Sequence, residues 1–476
     1  MGKSSPLPET EKTGGSQSIP EVVMSRIFTL IVSAVLFAGS LAAELPYNAM
    51  GELTGEVGPG SAILQTRLTA VTGPDSSGDY AGAEAWARFE ISRREDFSSS
   101  RTTAWRHASA DRDYIVKETV SSLAPETRYF YRVQISSNPA GAEVRLGARN
   151  TFRTAPERDA VRDVLFTVTT SHHHANRESE EGFDAYRAMA RLQPEFNFLT
   201  GDDVYYDTDP PVARDVAGMR FHWRRMFGMP LLKKFYSMVP GYWQKDDHDY
   251  RFDDADPFMP PREGGSPSDE EGRMVFLEQT PVPVPTHRRV RWGRAVEFWL
   301  PEGRDYRSPN SMPDGPGKTL WGVQQRRWLE ETIAASDAMF KVLLSPTGLV
   351  GPDRGNKRDS HANRNGFFSE GQEFLGRLKA QGVKNFFIVN GDRHWKYHSV
   401  HIPTGYEEFC CGALTDGASV QDPDYADELA ERKWHLGNGG FLAVRVLAED
   451  ADVPEMVFEF YEEDGNLVHT VRRQLE

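Results

Sequence analysis

The sequence predicts an α/β domain preceded by a smaller domain made of β-strands. Two patterns along the chain support this division. Short segments of alternating apolar and polar residues, separated by Gly and Pro, fill residues 52–155. From about residue 162, continuous apolar segments alternate with amphipathic ones, which is typical of buried strands between helices. Hydrophobic residues make up 39% of the chain, which is enough to form a sizeable core in each domain.

Residues 50–156 are predicted to form a β-sandwich of the fibronectin type III kind. Evenly spaced short strands over roughly 100 residues are typical of such sandwiches. The segments with this pattern are SAILQTRLTAV, EAWARFEISR, YIVKETVSSL, TRYFYRVQISS and RNTFRTAP. None of them contains a group of residues that indicates catalysis, so we expect a structural domain.

Residues 162–476 are predicted to form the α/β domain. We expect buried strands at VLFTVTT, FNFLTGDD, FKVLLSP and NFFIVNGD. Amphipathic helices are expected at GFDAYRAMARLQPE, TLWGVQQRRWLEETIAAS and SEGQEFLGRLKAQG. After about His398 the chain returns to strands. Residues 253–290 are rich in Pro, Gly and acidic residues, and they are predicted to form a long surface loop or lid.

Residues 1–43 are predicted to be a polar leader followed by a signal peptide. An apolar segment from Ile27 to Gly39 follows a short positive region, and small residues up to Ala43 offer a cleavage site. The apolar segment is too short for a comfortable membrane span. We expect the signal peptide to start at Met24 and the mature protein to be secreted or periplasmic, without a membrane span. A retained anchor helix is the alternative.

The composition excludes several functional classes. The chain has 55 Lys and Arg residues against 70 Asp and Glu residues, a formal net charge of −15. That charge argues against general nucleic-acid binding, which needs a basic surface. Two adjacent cysteines exclude a disulfide scaffold and a zinc site built from cysteines. A metal ion here must therefore be bound by Asp, His, Asn, Tyr or Glu.

Three polar clusters directly follow apolar strands. They are GDDVYY from Gly201, DDHD from Asp246 and GDRHW from Gly391. Because ligands bind at the carboxyl ends of strands in open α/β sheets, we expect the clusters to converge on one site. The Gly before Asp in the first and third clusters allows the backbone to turn sharply there.

These clusters contain ligands that suit metal ions. Carboxylate oxygens and imidazole nitrogens can bind Fe, Mn, Zn or Ca. Two neighbouring metal ions suit the hydrolysis of a phosphate ester, because they clamp the phosphoryl oxygens and lower the pKa of a water molecule. Each cluster alone could be an acidic or hydrogen-bonded turn. The three together, in this order, favour a metal site.

With these motifs the chain resembles the PhoD-like alkaline phosphatases and phosphodiesterases, a branch of the calcineurin-like metallophosphatase superfamily. The resemblance covers most of the mature chain. It includes the N-terminal β-sandwich ending in TFRTAP, the central segment WGRAVEFWLPEGRDYRS and the segment WGVQQRRWLEETIAASDAMFKVLLSP. It implies a metallophosphatase-type two-sheet α/β sandwich with a metal cluster at its strand ends. It also implies an enzyme that hydrolyses phosphomonoesters or phosphodiesters by metal-activated water.

The resemblance further implies roles for the motif residues. Asp202 would be a catalytic, bridging carboxylate, and Tyr205 would be a phenolate ligand to ferric iron. Asp247 would bind a second metal ion, with Asp246 as a further candidate. His248 would contact phosphate or protonate the leaving group. The implied metal ligands together are Asp202, Tyr205, Asp246, Asp247, Asp392 and His394.

The sequence departs from the family pattern at the end of the first catalytic strand. The family has a Cys ligand there, whereas residues 169–176 contain three histidines and no thiol. His172 and His174 are therefore candidate additional ligands. Without the soft thiolate the inference of ferric iron weakens, which leaves Zn, Mn or Ca more open. A polar surface loop is the alternative for these histidines. A second departure is Glu302-Gly303-Arg304, where the family has Asp-x-Arg.

Two further residues and two further functions remain open. Asp359 and His361 precede a predicted helix and are candidate ligands or substrate contacts, although the pattern slightly favours a polar turn at the start of that helix. The alternative functions are a non-catalytic surface-binding protein on the same scaffold and a metal-dependent hydrolase of another ester. The retained Asp and His residues favour the phosphoesterase.

Overall fold

The computed structural model describes residues 44–421 and 427–476. The predicted leader and signal peptide at residues 1–43 lie outside this range. From Leu45 onward the chain forms one compact unit. Among the described residues, no helix is long and apolar enough to cross a membrane.

The described residues contain twenty-two strands and six α-helices. The strands are β1 (Glu52–Gly55), β2 (Ala62–Arg67), β3 (Ala85–Ser92), β4 (Ser100–Thr102), β5 (Arg106–Ala108), β6 (Ile115–Val120), β7 (Arg128–Ser136), β8 (Arg145–Leu146), β9 (Asn150–Arg153), β10 (Val164–Thr169), β11 (Phe196–Thr200), β12 (Gly241–Gln244), β13 (Arg288–Trp292), β14 (Val296–Leu300), β15 (Phe340–Ser345), β16 (Phe386–Asn390), β17 (Lys396–His401), β18 (Glu407–Cys411), β19 (Ala430–Leu436), β20 (Phe441–Leu447), β21 (Glu455–Tyr461) and β22 (Leu467–Gln474). The helices are α1 (Asp184–Leu192), α2 (Val216–Phe227), α3 (Pro230–Tyr236), α4 (Asp269–Gln279), α5 (Val323–Ala334) and α6 (Phe368–Ala380).

Two large sheets pack face to face. The first has nine strands in the order β22-β21-β20-β10-β11-β12-β1-β2-β6, and the second has seven in the order β13-β14-β15-β16-β18-β17-β19. Aromatic side chains of both sheets fill the space between them. The ring of Phe298 lies 5.0 Å from that of Phe166 and 4.8 Å from that of Phe198. This is the two-sheet α/β sandwich that the sequence predicts.

Helices cover the outer faces of both sheets. Tyr186 of α1 and Trp223 of α2 belong to the apolar cluster on the nine-stranded sheet, together with residues of α3 and α4. Leu329 of α5 and Phe374 of α6 pack in the same way on the seven-stranded sheet. Because the helices cover only the outer faces of the sheets, the carboxyl ends of the strands remain available to form the site.

The N-terminal region forms the predicted sandwich. A third sheet runs in the order β4-β3-β7-β8, with β5 on β3 and β9 on β7, and its apolar face packs against β2 and β6. Strands β1, β2 and β6 are also part of the nine-stranded sheet, because β1 pairs in parallel with β12. No sequence pattern predicted this continuity between the sandwich and the large sheet. The boundaries at 50–156 and 162–476 stay a prediction.

The segment 253–290 is not one long surface loop, so that expectation is wrong. It contains α4, whose Val275 and Phe276 are buried against the helical layer. Ser268 caps this helix, since its side chain accepts a hydrogen bond from Glu271 N and the Glu271 side chain binds the Ser268 backbone. The Ser-x-x-Glu pattern of this capping box is present in the sequence, but the surrounding Pro and Gly residues favoured the prediction of a loop.

The junction of β1 with β12 depends on a glycine. A Cβ atom added to Gly55 would lie 2.5 Å from the carbonyl oxygen of Pro281, a backbone atom that cannot move aside easily. Gly55→Ala should therefore lower the free energy of unfolding by about 1–3 kcal/mol. Denaturant unfolding of the whole chain measures this. Gly73→Ala is the control, because nothing lies within 4 Å of its added Cβ. Equal stability of the two variants would contradict the junction described here.

Candidate metal centre

Three strands end in the same backbone conformation. Ser171, Asp202 and Asp392 each lie two residues beyond a strand, namely β10, β11 and β16. Their φ angles are 56°, 57° and 64°, in the left-handed region that non-glycine residues seldom adopt. Such strained backbone is concentrated at functional sites. Ser171 therefore occupies the position on the first strand that the two aspartates occupy on the others.

The first two sequence clusters touch through Gly201. Its φ is +92°, and an added Cβ would lie 2.4 Å from Cβ of Asp246. Asp249 joins the same two loops, because its carboxylate accepts hydrogen bonds from Asp246 N at 2.7 Å and from Asp203 N at 3.1 Å. The clusters that follow β11 and β12 are thus held as one unit.

Asp202 is shared by two groups of potential metal ligands. One group is Asp202, Asp247 and His248, and the other is Asp202, Asp246 and Asp392. Within each group the ligand atoms lie within 4.8 Å of one another, and all five residues are buried. Oδ2 of Asp246 and Oδ1 of Asp247 accept no hydrogen bond from any described residue. Buried, unpaired carboxylate oxygens of this kind fit a hard metal cation.

The buried carboxylates of the two ligand groups carry more negative charge than the neighbouring basic side chains neutralise. Burial, together with Asp247 and Asp246, raises the pKa of Asp202 well above its usual range. Burial also raises the pKa of Asp392, although the neighbouring Arg393 opposes it. Bound cations would remove this penalty by stabilising the ionised forms.

Arg304 provides part of the compensating charge. Its Nε donates to Oδ1 of Asp246 at 2.7 Å, and Nη2 lies 3.7 Å from Oδ1 of Asp247. The carboxylate of Glu302 accepts a hydrogen bond from Arg304 N at 2.8 Å. The Glu-Gly-Arg departure thus still brings Arg304 to the site.

Tyr205 and His394 lie on another side of Asp202. The Tyr205 hydroxyl is 3.3 Å from Oδ2 of Asp202 and 3.3 Å from Nε2 of His394. Nδ1 of His394 donates to the carbonyl oxygen of Ala418 at 2.6 Å, which leaves Nε2 with a free lone pair. Burial lowers the pKa of His394 to about 4, so the ring is neutral. Imidazole ligands of metals are commonly oriented by such a bond.

His248 is paired with Asp207. Its Nδ1 lies 2.6 Å from Oδ1 of Asp207, and its backbone N–H donates to Oδ1 of Asp202 at 3.4 Å. Burial lowers the pKa of His248, but Asp247 and Asp207 outweigh this effect and raise it to about 9. Nε2 of the same ring lies 3.9 Å from Oδ1 of Asp253.

The other residues that the sequence suggested as ligands or substrate contacts differ in their partners. His172 is buried beneath it, with Nε2 2.8 Å from the Tyr186 hydroxyl and Nδ1 3.5 Å from Asp203, so the surface-loop alternative is wrong for this residue. His174 begins a short 3-10 turn, and its backbone N–H donates to Asp209. Asp359 lies 3.5 Å from Arg304. His361 binds Glu370 at 3.0 Å, and the structure shows no contact between it and the cluster.

Sequence reasoning missed His173, Asp207 and the role of Arg304. The His173 ring stacks on Tyr205 with centroids 3.8 Å apart, while its Nδ1 lies 2.9 Å from Asp209. The three adjacent histidines drew attention to this segment of the sequence. Which of the three stacks on Tyr205 depends on the backbone turn at Ser171, which local sequence does not show. Asp207 follows directly in the same motif as Tyr205, which is the signal that could have identified it.

Removal of Arg304 should show how much this buried charge matters. In metal-free protein, Arg304→Met should lower the free energy of unfolding by about 3–5 kcal/mol, because it leaves buried carboxylates without their partner. Arg304→Lys keeps a positive charge and should lose less. Denaturant titration in the presence of a chelator measures both variants. An Arg304→Met variant as stable as the native chain would show that other groups neutralise the cluster.

Comparison with known proteins identifies the family of the chain. The profile of the PhoD-like phosphatase family matches residues 166–438, more than half of the chain. The profile of the N-terminal domain of PhoD-like phosphatases matches residues 42–156. Alkaline phosphatase D of Bacillus subtilis (strain 168) is 20% identical over 477 residues, covering 88% of this chain and 79% of that protein.

Solved structures share the fold. The structure of PhoD superposes with a TM-score of 0.71 at 16% identity, covering 91% of this chain and 93% of that chain. A purple acid phosphatase from yellow lupin (Lupinus luteus) seeds gives a TM-score of 0.60 at 11% identity, covering 90% and 74%. The family match favours a phosphoesterase over both alternative functions. The chain therefore belongs to the PhoD-like phosphatase family and is a metal-dependent phosphoesterase.

Proposed function

We propose that this chain is an exported enzyme that hydrolyses phosphomonoesters or phosphodiesters at two metal ions bridged by Asp202. The observation that carries the proposal is the membership of Asp202 in both groups of buried ligands. Export is proposed from the leader sequence, with the signal peptide starting at Met24. We further propose that residues 50–156 are a structural module and that residues 162–476 carry out catalysis.

The ligands divide around Asp202. In the two ligand groups that share Asp202, Asp247 would serve one ion, and Asp246 and Asp392 would serve the other. Tyr205 and His394 would add further ligands, because the phenol oxygen lies 3.3 Å from both Asp202 and Nε2 of His394. At the position of the family's thiolate, Ser171 offers a hydroxyl, so oxygen donors dominate. This ligand set favours Ca, Mn or ferric iron over ions that depend on thiolate, with Zn as a further candidate.

His248 is proposed to move the proton that the reaction needs. Metal ions at such a site polarise the phosphoryl group and activate a water molecule. Asp207 accepts a hydrogen bond from Nδ1 of His248 and stabilises the imidazolium form, whose Nε2 proton can pass to the leaving-group oxygen. Asp207 is itself fixed by Arg262 Nη1 at 3.0 Å and by the Asp253 backbone N–H at 3.0 Å. The imidazolium is thereby kept in one orientation.

Asp202→Asn should remove both metal binding and turnover. An amide cannot bridge two cations with negative charge, so we expect kcat to fall at least about 100-fold and the bound metal to decrease. A phosphodiester assay and elemental analysis of the same sample measure both quantities. Asp159→Asn, on the exposed surface, is the matched control and should retain full activity. An Asp202→Asn variant with full activity would show that the site is assigned wrongly.

Asp207→Asn should separate proton transfer from metal binding. We expect kcat to fall about 100-fold for alkyl phosphate esters, which need a proton on the leaving oxygen, and much less for nitrophenyl esters, which do not. The metal content should not change. His248→Asn should show the same dependence on the leaving group. Equal losses for both ester types would contradict a role for this pair in protonating the leaving group.

A further inference from the structure

The ring of Tyr205 lies between two imidazole rings. The His173 ring stacks on it with centroids 3.8 Å apart and planes inclined by 28°, and the His248 ring lies 4.2 Å from it at an inclination of 33°. Two imidazoles this close to one phenol would overlap on the same face, so they lie on opposite faces. Tyr205 itself is 1% exposed. Its ring is therefore held from both sides.

An aspartate anchors each imidazole at Nδ1. Oδ1 of Asp209 lies 2.9 Å from Nδ1 of His173, and Oδ1 of Asp207 lies 2.6 Å from Nδ1 of His248. Asp209 is fully buried, and its Oδ2 accepts a hydrogen bond from His174 N at 2.8 Å. Because this carboxylate is fixed by the backbone of the neighbouring residue, it holds the His173 ring in one plane.

The orientation of the Tyr205 ring decides where its hydroxyl lies. The hydroxyl is 3.3 Å from Oδ2 of Asp202 and 3.3 Å from Nε2 of His394. Rotation about the Cα–Cβ bond of Tyr205 would carry the oxygen away from both atoms. The His173 ring lies farther from these ligands, with its centroid 6.4 Å from that of His394. Its close contact with the centre is thus the stack on Tyr205.

We propose that His173 is a positioning residue, which holds the Tyr205 phenol in the orientation that binds a metal ion. The inference rests on the proposed function, because it concerns a ligand of the same centre. A tyrosine free to rotate would lose side-chain freedom on binding an ion, and that loss of entropy would lower the affinity. A ring that is already fixed avoids this cost. His173 thereby raises the affinity for metal without itself binding the ion.

Substitutions of His173 should change the affinity for metal according to whether they keep a ring. His173→Ala removes the stack and should raise the Mn²⁺ dissociation constant about 10-fold. His173→Phe restores a ring and should recover most of the affinity, whereas His173→Asn has no ring and should not. Competition with a chromophoric chelator, on the full chain, measures the dissociation constants. Melting temperatures show that each variant is folded.

A double-mutant cycle with Tyr205→Phe separates positioning from a general structural role. Tyr205→Phe keeps the stacked ring but lacks the phenol oxygen. If His173 acts through that oxygen, adding His173→Ala to Tyr205→Phe should change the Mn²⁺ dissociation constant by less than about 2-fold. His107→Ala removes an exposed histidine of the sandwich domain and is the control, with the affinity of the native chain. His173→Asn serves in the same cycle if His173→Ala does not fold.

Two results would overturn the inference, and neither is the failure of the proposed function. An equal loss of affinity on removing His173 in the native and Tyr205→Phe chains would mean that His173 acts independently of the phenol. Native affinity in the folded His173→Ala and His173→Asn variants would mean that the Tyr205 ring needs no support from this side. Failure of the proposed function would appear differently, as a native chain without bound metal and without turnover.

Discussion

The structure depends on keeping several carboxylates buried where three strand ends meet. Asp202, Asp246, Asp247 and Asp392 are each at most 8% exposed. Ionised carboxylates in such surroundings are costly unless cations lie beside them. Arg304, Arg393 and Lys357 supply part of that charge from the chain itself, and metal ions supply the remainder. The same charge balance decides both the stability of the fold and the chemistry of the site.

The strand order of the two sheets brings the residues of this cluster together. Parallel pairing of β10, β11 and β12 brings their carboxyl ends to one edge, and β16 of the facing sheet adds Asp392 and His394. The packed phenylalanines between the sheets fix the separation of these ends. The Asp249 carboxylate joins two of the ligand loops, because it accepts hydrogen bonds from Asp246 N and Asp203 N. The N-terminal sandwich is joined to the sheet by β1, beside the ligand-bearing strand β12.

Much of this arrangement was predictable from local sequence pattern. Apolar strands followed by Gly-Asp identify β11 and β16, and their order identifies the family. The partner of a charged residue was not predictable, because it depends on long-range contacts. Arg304 meets Asp246 across 58 positions, and Lys357 meets Asp254 across 103. His361 is the opposite case. Its sequence context resembles that of a site residue, but in the structure its side chain binds Glu370 instead. The continuity of β1 with β12 was missed because parallel pairing between distant strands leaves no local periodicity.

The most direct test of this account is the metal content of the purified native chain, measured with its phosphoesterase activity before and after treatment with a chelator. The account predicts about two equivalents of Ca, Mn, Fe or Zn, loss of both metal and turnover with the chelator, and recovery of both on adding the ion back. Less than one equivalent after remetallation, or turnover that the chelator leaves intact, would contradict the bridged centre at Asp202.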